Sequence, residues 1–246
     1  MRLMVFSDIH GNLAALESVL AHAADKEVHR RVCLGDLVGY GPFPNECINI
    51  VRGLQNCRCV AGNHDTAAVW ESSPYGMSSG AKKAIFWTMD QLTDENRRFL
   101  GTLPDRFDLA DMTFVHANPY NPRGGKYILG NTQAVRSFFT TKCRHLFIGH
   151  THRPAVITRR NILAAEFADI TGETKLTVDD FKRRIINCGS IGQPRDKDPR
   201  SCYLVFDTRK QEIEYYRVAY DVEKSRQAIR SAGLPRPLAS RLLKGV

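Results

Sequence analysis

The stretch RLMVFSDIHGN, residues 2–12, decides how the rest of the chain is read. Arg2–Phe6 is a short apolar run, the pattern of a buried strand. Asn12 then reads as an N-cap, and Leu13, Leu16, Leu20 and Ala23 fall on one helical face. The alternation repeats downstream. Arg31–Leu34 predicts a second strand, and Pro44 suits the first turn of a helix whose apolar face is Cys47, Ile48, Val51 and Leu54. Arg58–Ala61 predicts a third strand. Strands alternating with helices predict an α/β fold, a sheet with covering helices.

Beyond Asp65 the pattern changes. Thr66–Gly80 is rich in Ser, Pro and Gly and reads as a loop. Helices are expected around Ala81–Gln91, Asp94–Leu100 and Thr132–Phe139, and strands at Met112–Val115 and His145–Ile148. Ala117–Asn131 is a Gly/Pro/Asn-rich loop. Cys202–Asp207 and Ile213–Val218 predict a hairpin, whose edge is open to pairing with another chain. A short helix from Asp221 to about Ser231 and a docked, helical basic arm over Arg236–Val246 complete the reading. No repeat, low-complexity tract or linker interrupts the chain, so residues 1–246 read as a single domain.

Composition sets the outer bounds. Of the 246 residues, 43% are hydrophobic and 25% charged, which excludes whole-chain disorder. No run of about 18 apolar residues would span a membrane. The N-terminus reads without a signal peptide. The seven cysteines, Cys33, Cys47, Cys57, Cys59, Cys143, Cys188 and Cys202, are odd in number and contain no CxxC pair. Reduced thiols and a cytoplasmic location are the expectation. Cys57 and Cys59 have strand spacing and read as packing residues. The net charge is +9, and it is uneven: Met112–Ala165 holds no Asp or Glu but eight Lys and Arg, so +8 of it sits there. Such a segment reads as a solvated basic face or as a field that steers an anionic substrate.

Five short segments carry chemistry, each at the carboxyl end of an expected strand. They are Asp8-Ile9-His10, Gly35-Asp36, Gly62-Asn63-His64-Asp65, His116 and Gly149-His150-Thr151-His152. In open α/β sheets, ligand sites gather at that edge. Imidazole with carboxylate oxygen suits Zn, Mn, Fe or Co. One ion with four ligands cannot use so many donors, whereas two ions sharing a carboxylate can. A lone Asp-x-His or His-x-His is a weak signal; all five segments in this order are a strong one. His22, His29 and His145 lie outside these segments and read as surface or structural residues.

In this order, the segments resemble the calcineurin-like metallophosphoesterase superfamily. Asn187-Cys-Gly-Ser-Ile-Gly-Gln-Pro-Arg-Asp196 is similar to its bacterial and archaeal small-phosphoesterase branch, which extends the likeness across nearly the whole chain. The fold implied is a four-layer αββα sandwich of two stacked mixed sheets with flanking helices. The resemblance also implies two divalent metal ions (Mn, Fe, Zn, Co or Ni). Asp8, His10 and His152 would hold one, Asn63, His116 and His150 the other, and Asp36 both. The implied reaction is hydrolysis of phosphate esters or anhydrides by in-line attack of a metal-bound hydroxide. His64 resembles the family's general acid; Asp65 reads either as a residue that holds its ring in one orientation or as a solvent-facing cap. Many relatives carry an acid or Arg where this chain has Gly39, so the protein-phosphatase pattern is not met.

Asn12, Arg123 and Arg195 are candidates for substrate contact, as are Tyr40, Asn118 and Gln193. Gly124-Gly125-Lys126 lacks the P-loop form and reads as a flexible loop. The leading function is therefore a phosphatase or phosphodiesterase for a small phosphorylated, nucleotide-like substrate, with no membrane partner. A nuclease or nucleic-acid end-processing phosphodiesterase is the alternative. It has the basic charge in its favour but no aromatic-interleaved basic stripe or nucleic-acid module. A non-catalytic scaffold on the same fold, like the retromer's sorting subunit, is a third reading. The complete donor set and His64 argue against it.

Overall fold

In the computed structural model, residues 1–70, 77–179 and 181–246 are described. The expected strands form, and period-two alternation explains how they stack. In β1 (Arg2–Phe6), Met4 and Phe6 face one way, into a core with Leu16, Val19, Ile48 and Val51 of helices α1 (Leu13–Ala23) and α2 (Pro44–Gly53). Leu3 and Val5 face the other way, against Phe114, Phe147 and Ile186 of a second sheet. That sheet turns Val115, Leu146, Ile148 and Ile185 outward onto Ala134 and Phe138 of α6 (Asn131–Thr140). Three apolar layers therefore separate four layers of structure, the expected αββα sandwich. Strands buried on both faces read as unbroken apolar runs. Each fully buried Leu, Ile, Val or Phe side chain contributes about 1.5–3 kcal/mol.

The first sheet has six strands in the order β3-β2-β1-β11-β12-β9. Here β2 is Arg30–Cys33, β3 Cys57–Cys59, β9 Thr174–Thr177, β11 Ser201–Asp207 and β12 Glu212–Val218. β1 runs parallel to β2, with Val5 opposite Val32, and antiparallel to β11, with Val5 opposite Leu204. The second sheet has the order β4-β5-β6-β10-β7-β8. Its strands are β4 (Arg106–Leu109), β5 (Met112–Val115), β6 (His145–Ile148), β7 (Ala155–Arg159), β8 (Ala165–Asp169) and β10 (Arg184–Asn187). Both sheets are mixed: β5, β6 and β10 run parallel, and β7 and β8 are added antiparallel.

Two expectations are corrected. The hairpin β11–β12 is not an edge hairpin, because β1 pairs with Leu204–Asp207 of β11 and β9 with Glu212–Tyr215 of β12. Thr66–Trp70 is not loop; it completes helix α3 (Asn63–Trp70). The Asp65 carboxylate accepts from the Gly62 amide (3.0 Å), and that of Asp36 accepts from the His64 amide (2.8 Å). Carboxylates on these first-turn amides start the helix despite the turn-rich sequence that follows. The rest of that stretch begins at 71–76, outside the described residues, and then α4 (Ser79–Gln91) and α5 (Asp94–Thr102) follow as expected. At the other end, α7 (Val222–Ser231) leads into α8 (Arg236–Ser240), so the basic arm is helical and docked. All seven cysteines are free thiols. Among the described residues, no helix is long and apolar enough to cross a membrane.

Candidate metal centre

The loops leaving β1 and β2 run side by side beyond the strands. The amides of Asp8, His10 and Gly11 donate to the carbonyls of Gly35, Asp36 and Leu37. Along these exits and the one after β6, Asp8, His10, Asp36, His150 and His152 all have left-handed backbones, with φ of 56°, 51°, 53°, 64° and 59°. Each such non-glycine residue costs roughly 1–3 kcal/mol and persists where the surrounding structure over-determines it. These five polar residues stand where the carboxyl ends of β1 and β2 in one sheet meet that of β6 in the other. Gly62 makes room for them, since a Cβ there would lie 2.0 Å from Asp36 Oδ1.

The side chains converge. His10 Nε2 and His152 Nε2 lie 3.3 Å apart, and Asp8 Oδ1 is 3.7 Å from the first and 3.2 Å from the second. His116 Nε2 lies 3.1 Å from His150 Nδ1. Asp36 Oδ2 stands between the two groups, 3.6 Å from His10 Nε2 and 3.2 Å from His116 Nε2. Asp8/His10/His152 and Asp36/His116/His150 each bring one donor atom per residue within 4.8 Å of one another, as do His10, Asp36 and His64.

The remaining ring nitrogens settle the tautomers. His10 Nδ1 donates to the Val38 carbonyl (3.0 Å), His116 Nδ1 to Leu34 (2.8 Å), His152 Nδ1 to Gln193 (2.6 Å) and His150 Nε2 to Gly125 (2.7 Å). A carbonyl only accepts, so each of these nitrogens carries the proton. In the neutral rings the lone pairs then sit on the converging atoms: Nε2 of His10, His116 and His152, and Nδ1 of His150. Such backing of imidazoles is the usual outer support of metal ligands. Asp8 Oδ1 and Asn63 Oδ1 are buried with no hydrogen-bond partner among the described residues. An orphaned buried oxygen is costly unless a cation completes it. The donor set therefore fits divalent metal ions.

The electrostatics agree. Burial works against charge on Asp8, but His152 and His10 outweigh it and hold the carboxyl below its usual range. Asp36 is likewise held down against its burial by His116 and His64. Burial also opposes charge on His116, yet Asp36 and Asp8 draw its ring up to about 9. The carboxylate pair thus attracts positive charge to this spot. His150 is pushed down to about 4 by burial and by His116.

His64 is built differently from the other four rings. Its Nδ1 is buried without a hydrogen-bond partner among the described residues, and burial pushes the ring down to about 3. It packs 4.8 Å from the His10 ring and 4.6 Å from the Tyr40 ring, and it lines the open cleft. Gly39 now has a reason. At φ +84° it lies under this ring, and a Cβ would sit 2.3 Å from His64 Nδ1. The expected role of Asp65 in orienting His64 is corrected. Its carboxylate is taken by the amides of Leu37, Val38 and Gly62, so it ties the loop after Asp36 to the start of α3.

The cleft over the cluster has a volume of about 650 Å³ and is lined by Asp36, Asn63, His64, His150 and His152, with Tyr40, Tyr127, Arg123, Arg195 and Arg241 around them. Of the expected substrate contacts, Arg195 reaches the cleft, as does Tyr40. Arg123 stands at its edge, ion-paired to Asp105. Asn12 does not reach it: its side chain caps α1 and bonds the Gly192 carbonyl and Ser225. Asn118 braces its own loop through Lys126 and Asn121. Tyr127 and Arg241 line the cleft without belonging to any motif. Tyr127 stacks on His150 (4.3 Å, 17°), and Arg241 comes from the C-terminal arm. The arm's basic, helical character is legible in the sequence; its path to the cleft is not. The basic segment Met112–Ala165 brings only Arg123 of its eight cations to the cleft. Arg153 and Arg160 pair with Asp169 and Glu166, and Arg136 and Arg159 lie over Tyr120 and Phe139.

Comparison with known proteins agrees with this geometry. The family model of the calcineurin-like phosphoesterase superfamily domain matches residues 1–211. An uncharacterized protein of Methanocaldococcus jannaschii is 36% identical over 245 residues, 98% of this chain and 97% of that protein. The crystal structure of a metallophosphoesterase from Sphaerobacter thermophilus superposes with a TM-score of 0.89 at 38% identity, covering 100% of this chain and 99% of the other. A hypothetical protein from Pyrococcus horikoshii shares the fold at a TM-score of 0.78 and 19% identity, over 100% and 98% of the two chains. The converging donors, the sandwich and these matches place the chain in the calcineurin-like phosphoesterase superfamily, whose members are metal-dependent phosphoesterases.

Proposed function

We propose that this protein hydrolyses a small phosphorylated, nucleotide-like substrate at a two-metal site, within a single domain spanning residues 1–246. Asp8, His10 and His152 hold one ion, Asn63, His116 and His150 the other, and Asp36 is shared. The observation that carries the reading is Asp36 Oδ2, which faces His10 Nε2 at 3.6 Å and His116 Nε2 at 3.2 Å. Divalent cations held by these residues would supply Lewis-acid polarisation of a phosphoryl oxygen and activation of water at neutral pH. The protein's own groups do the rest. The carbonyl-backed rings keep their donors aimed without reorganisation. His64, next to the cluster and open to the cleft, takes the role of proton donor to the leaving oxygen once the negative charge of a bound phosphate draws its ring back up from the low value that burial imposes. Arg195 at the cleft wall helps to draw the anionic substrate in.

The test is to load the protein with Mn and to assay a phosphate monoester, a phosphate diester and a dinucleoside polyphosphate, with the metal content measured alongside. We expect about two metal ions per chain, turnover of at least one of these substrates, and a loss of roughly 10²–10⁴-fold in His64→Ala with the metal retained. No turnover of any substrate, or a His64→Ala variant as active as the parent, overturns the reading.

A further inference from the structure

Three guanidinium groups reach the cleft, and they are not equivalent. Arg123 is tied to Asp105 at 2.8 Å. Among the described residues, neither Arg195 nor Arg241 has a carboxylate partner. Arg195 Nη2 donates to Gln193 Oε1 (3.1 Å) and to the Tyr40 hydroxyl (3.3 Å), and Arg241 Nη1 donates to the same Gln193 oxygen (3.2 Å). Arg195 Nε is buried with no hydrogen-bond partner among the described residues. Burial, and then the charge of Arg195, pull Arg241 below its ordinary value. Arg217 shows the contrast: this buried arginine is matched by Asp196 and Asp198.

Two cations sharing one neutral oxygen repel each other, and the fold nevertheless holds them there. Arg241 opens a short 3₁₀ turn (Arg241–Leu243) at the end of the arm. Leu238, Ala239 and Leu242 of the arm are buried in a cluster with Tyr40, Ala81 and Ile229. Gln193 is anchored as well, since its amide donates to Ser190 and its carbonyl accepts from His152. Tyr40 spaces this pair from the metal cluster. Its ring centroid lies 4.5 Å from that of His10, 4.6 Å from that of His64 and 5.8 Å from the Arg195 guanidinium. The two arginines therefore stand beside the cluster and not on it.

We infer that Arg195 and Arg241, joined through Gln193, form a second anion subsite, and that the preferred substrate carries a second phosphate group which binds there. A phosphate supplies the charge that Gln193 cannot, and its oxygens match the planar donors of two guanidiniums. The inference rests on the phosphoesterase reading for the first phosphate only. It also gives the C-terminal arm, which lies beyond the residues matched by the family model, a part in choosing the substrate.

The experiment is equilibrium binding by calorimetry to the Mn-loaded protein at fixed free metal. The two probes are a nucleoside phosphonate, whose phosphorus is joined to the sugar through carbon, and its diphosphate counterpart with a second methylene between the two phosphorus atoms, so that neither has an ester or anhydride bond to lose. The parent protein should bind the diphosphate analogue at least about tenfold tighter. Arg241→Gln should cut that preference to about threefold or less, and Arg241→Lys, which keeps a charge, should retain part of it. Thermal melting of each variant separates a local loss from a folding defect. A parent protein without the preference, or Arg241→Gln with the parent's preference intact, overturns the inference. If the preference is present but no ester is hydrolysed, the subsite stands and the enzymatic reading falls. If esters are hydrolysed with no effect of Arg241→Gln on the preference, only the subsite falls.

Discussion

The two walls of the cleft are made on opposite principles. On the inner wall, six side chains meet at strand ends; each of its four converging rings is backed by a backbone carbonyl, and five of the six residues sit in strained left-handed conformations. On the outer wall, Arg123, Arg195 and Arg241 come from a loop, from the turn after β10 and from the C-terminal arm, and they rest on side-chain partners. The inner wall is fixed by backbone, so its geometry exists before any ligand arrives. The outer wall is fixed by side chains, so one substitution can retune it without touching the donors. Chemistry and substrate choice are in this way assigned to separate parts of the chain.

The sharpest way to break the comparison is at Asp36, where one oxygen faces both donor groups. Asp36→Asn keeps the shape and can still accept from the His64 amide, but it loses the charge. We expect both metal ions to be lost together and activity to fall by more than the roughly 10–100-fold typical of outer-shell changes. Metal analysis with circular dichroism checks this. Retention of one ion at the parent's affinity would mean that the two donor groups are independent.

The inner wall was legible in the sequence because its residues follow the ends of apolar strands that period and composition reveal. Arg2–Phe6, Met112–Val115 and His145–Ile148 form with the bounds expected. The outer wall was not legible. Arg241 reaches the cleft only because the arm packs on Tyr40 and α4, a long-range contact that no local pattern encodes. Strands β8 and β9 escaped notice for a related reason. They are polar, half-exposed edge strands whose pairing partners, not their own residues, make them strands. Asp65 taught the converse, since adjacency to His64 in sequence suggested a contact that the first turn of a helix directs elsewhere.

A smaller effect is expected at Gly39, which tests whether the inner wall depends on backbone space as well as on donors. In Gly39→Ala the new Cβ would press on His64 Nδ1, 2.3 Å away, at φ +84°. The strain should cost about 1–2 kcal/mol of stability. Displacement of His64 should lower turnover by roughly 10²-fold while both metals remain bound. Comparing metal content with kcat separates the two: loss of metal would show that His64 belongs to the donor set and not beside it.

The smallest effect should come from Arg123, and it sharpens the division within the outer wall. Its side chain is 65% exposed, and its charge is already answered by Asp105. Exposed pairs of this kind are worth about 1 kcal/mol or less. A guanidinium held by a carboxylate must break that bond, or share it, before it can serve a phosphate; Arg195 and Arg241 face no such competition. Arg123→Ala should therefore leave the melting temperature nearly unchanged and shift KM by less than about threefold, well short of the change expected for Arg241→Gln. Steady-state kinetics on the two variants with one phosphorylated substrate makes the comparison. An equal rise in KM would mean that the cleft reads total positive charge, and the distinction between paired and unpaired arginines would carry no weight in choosing the substrate.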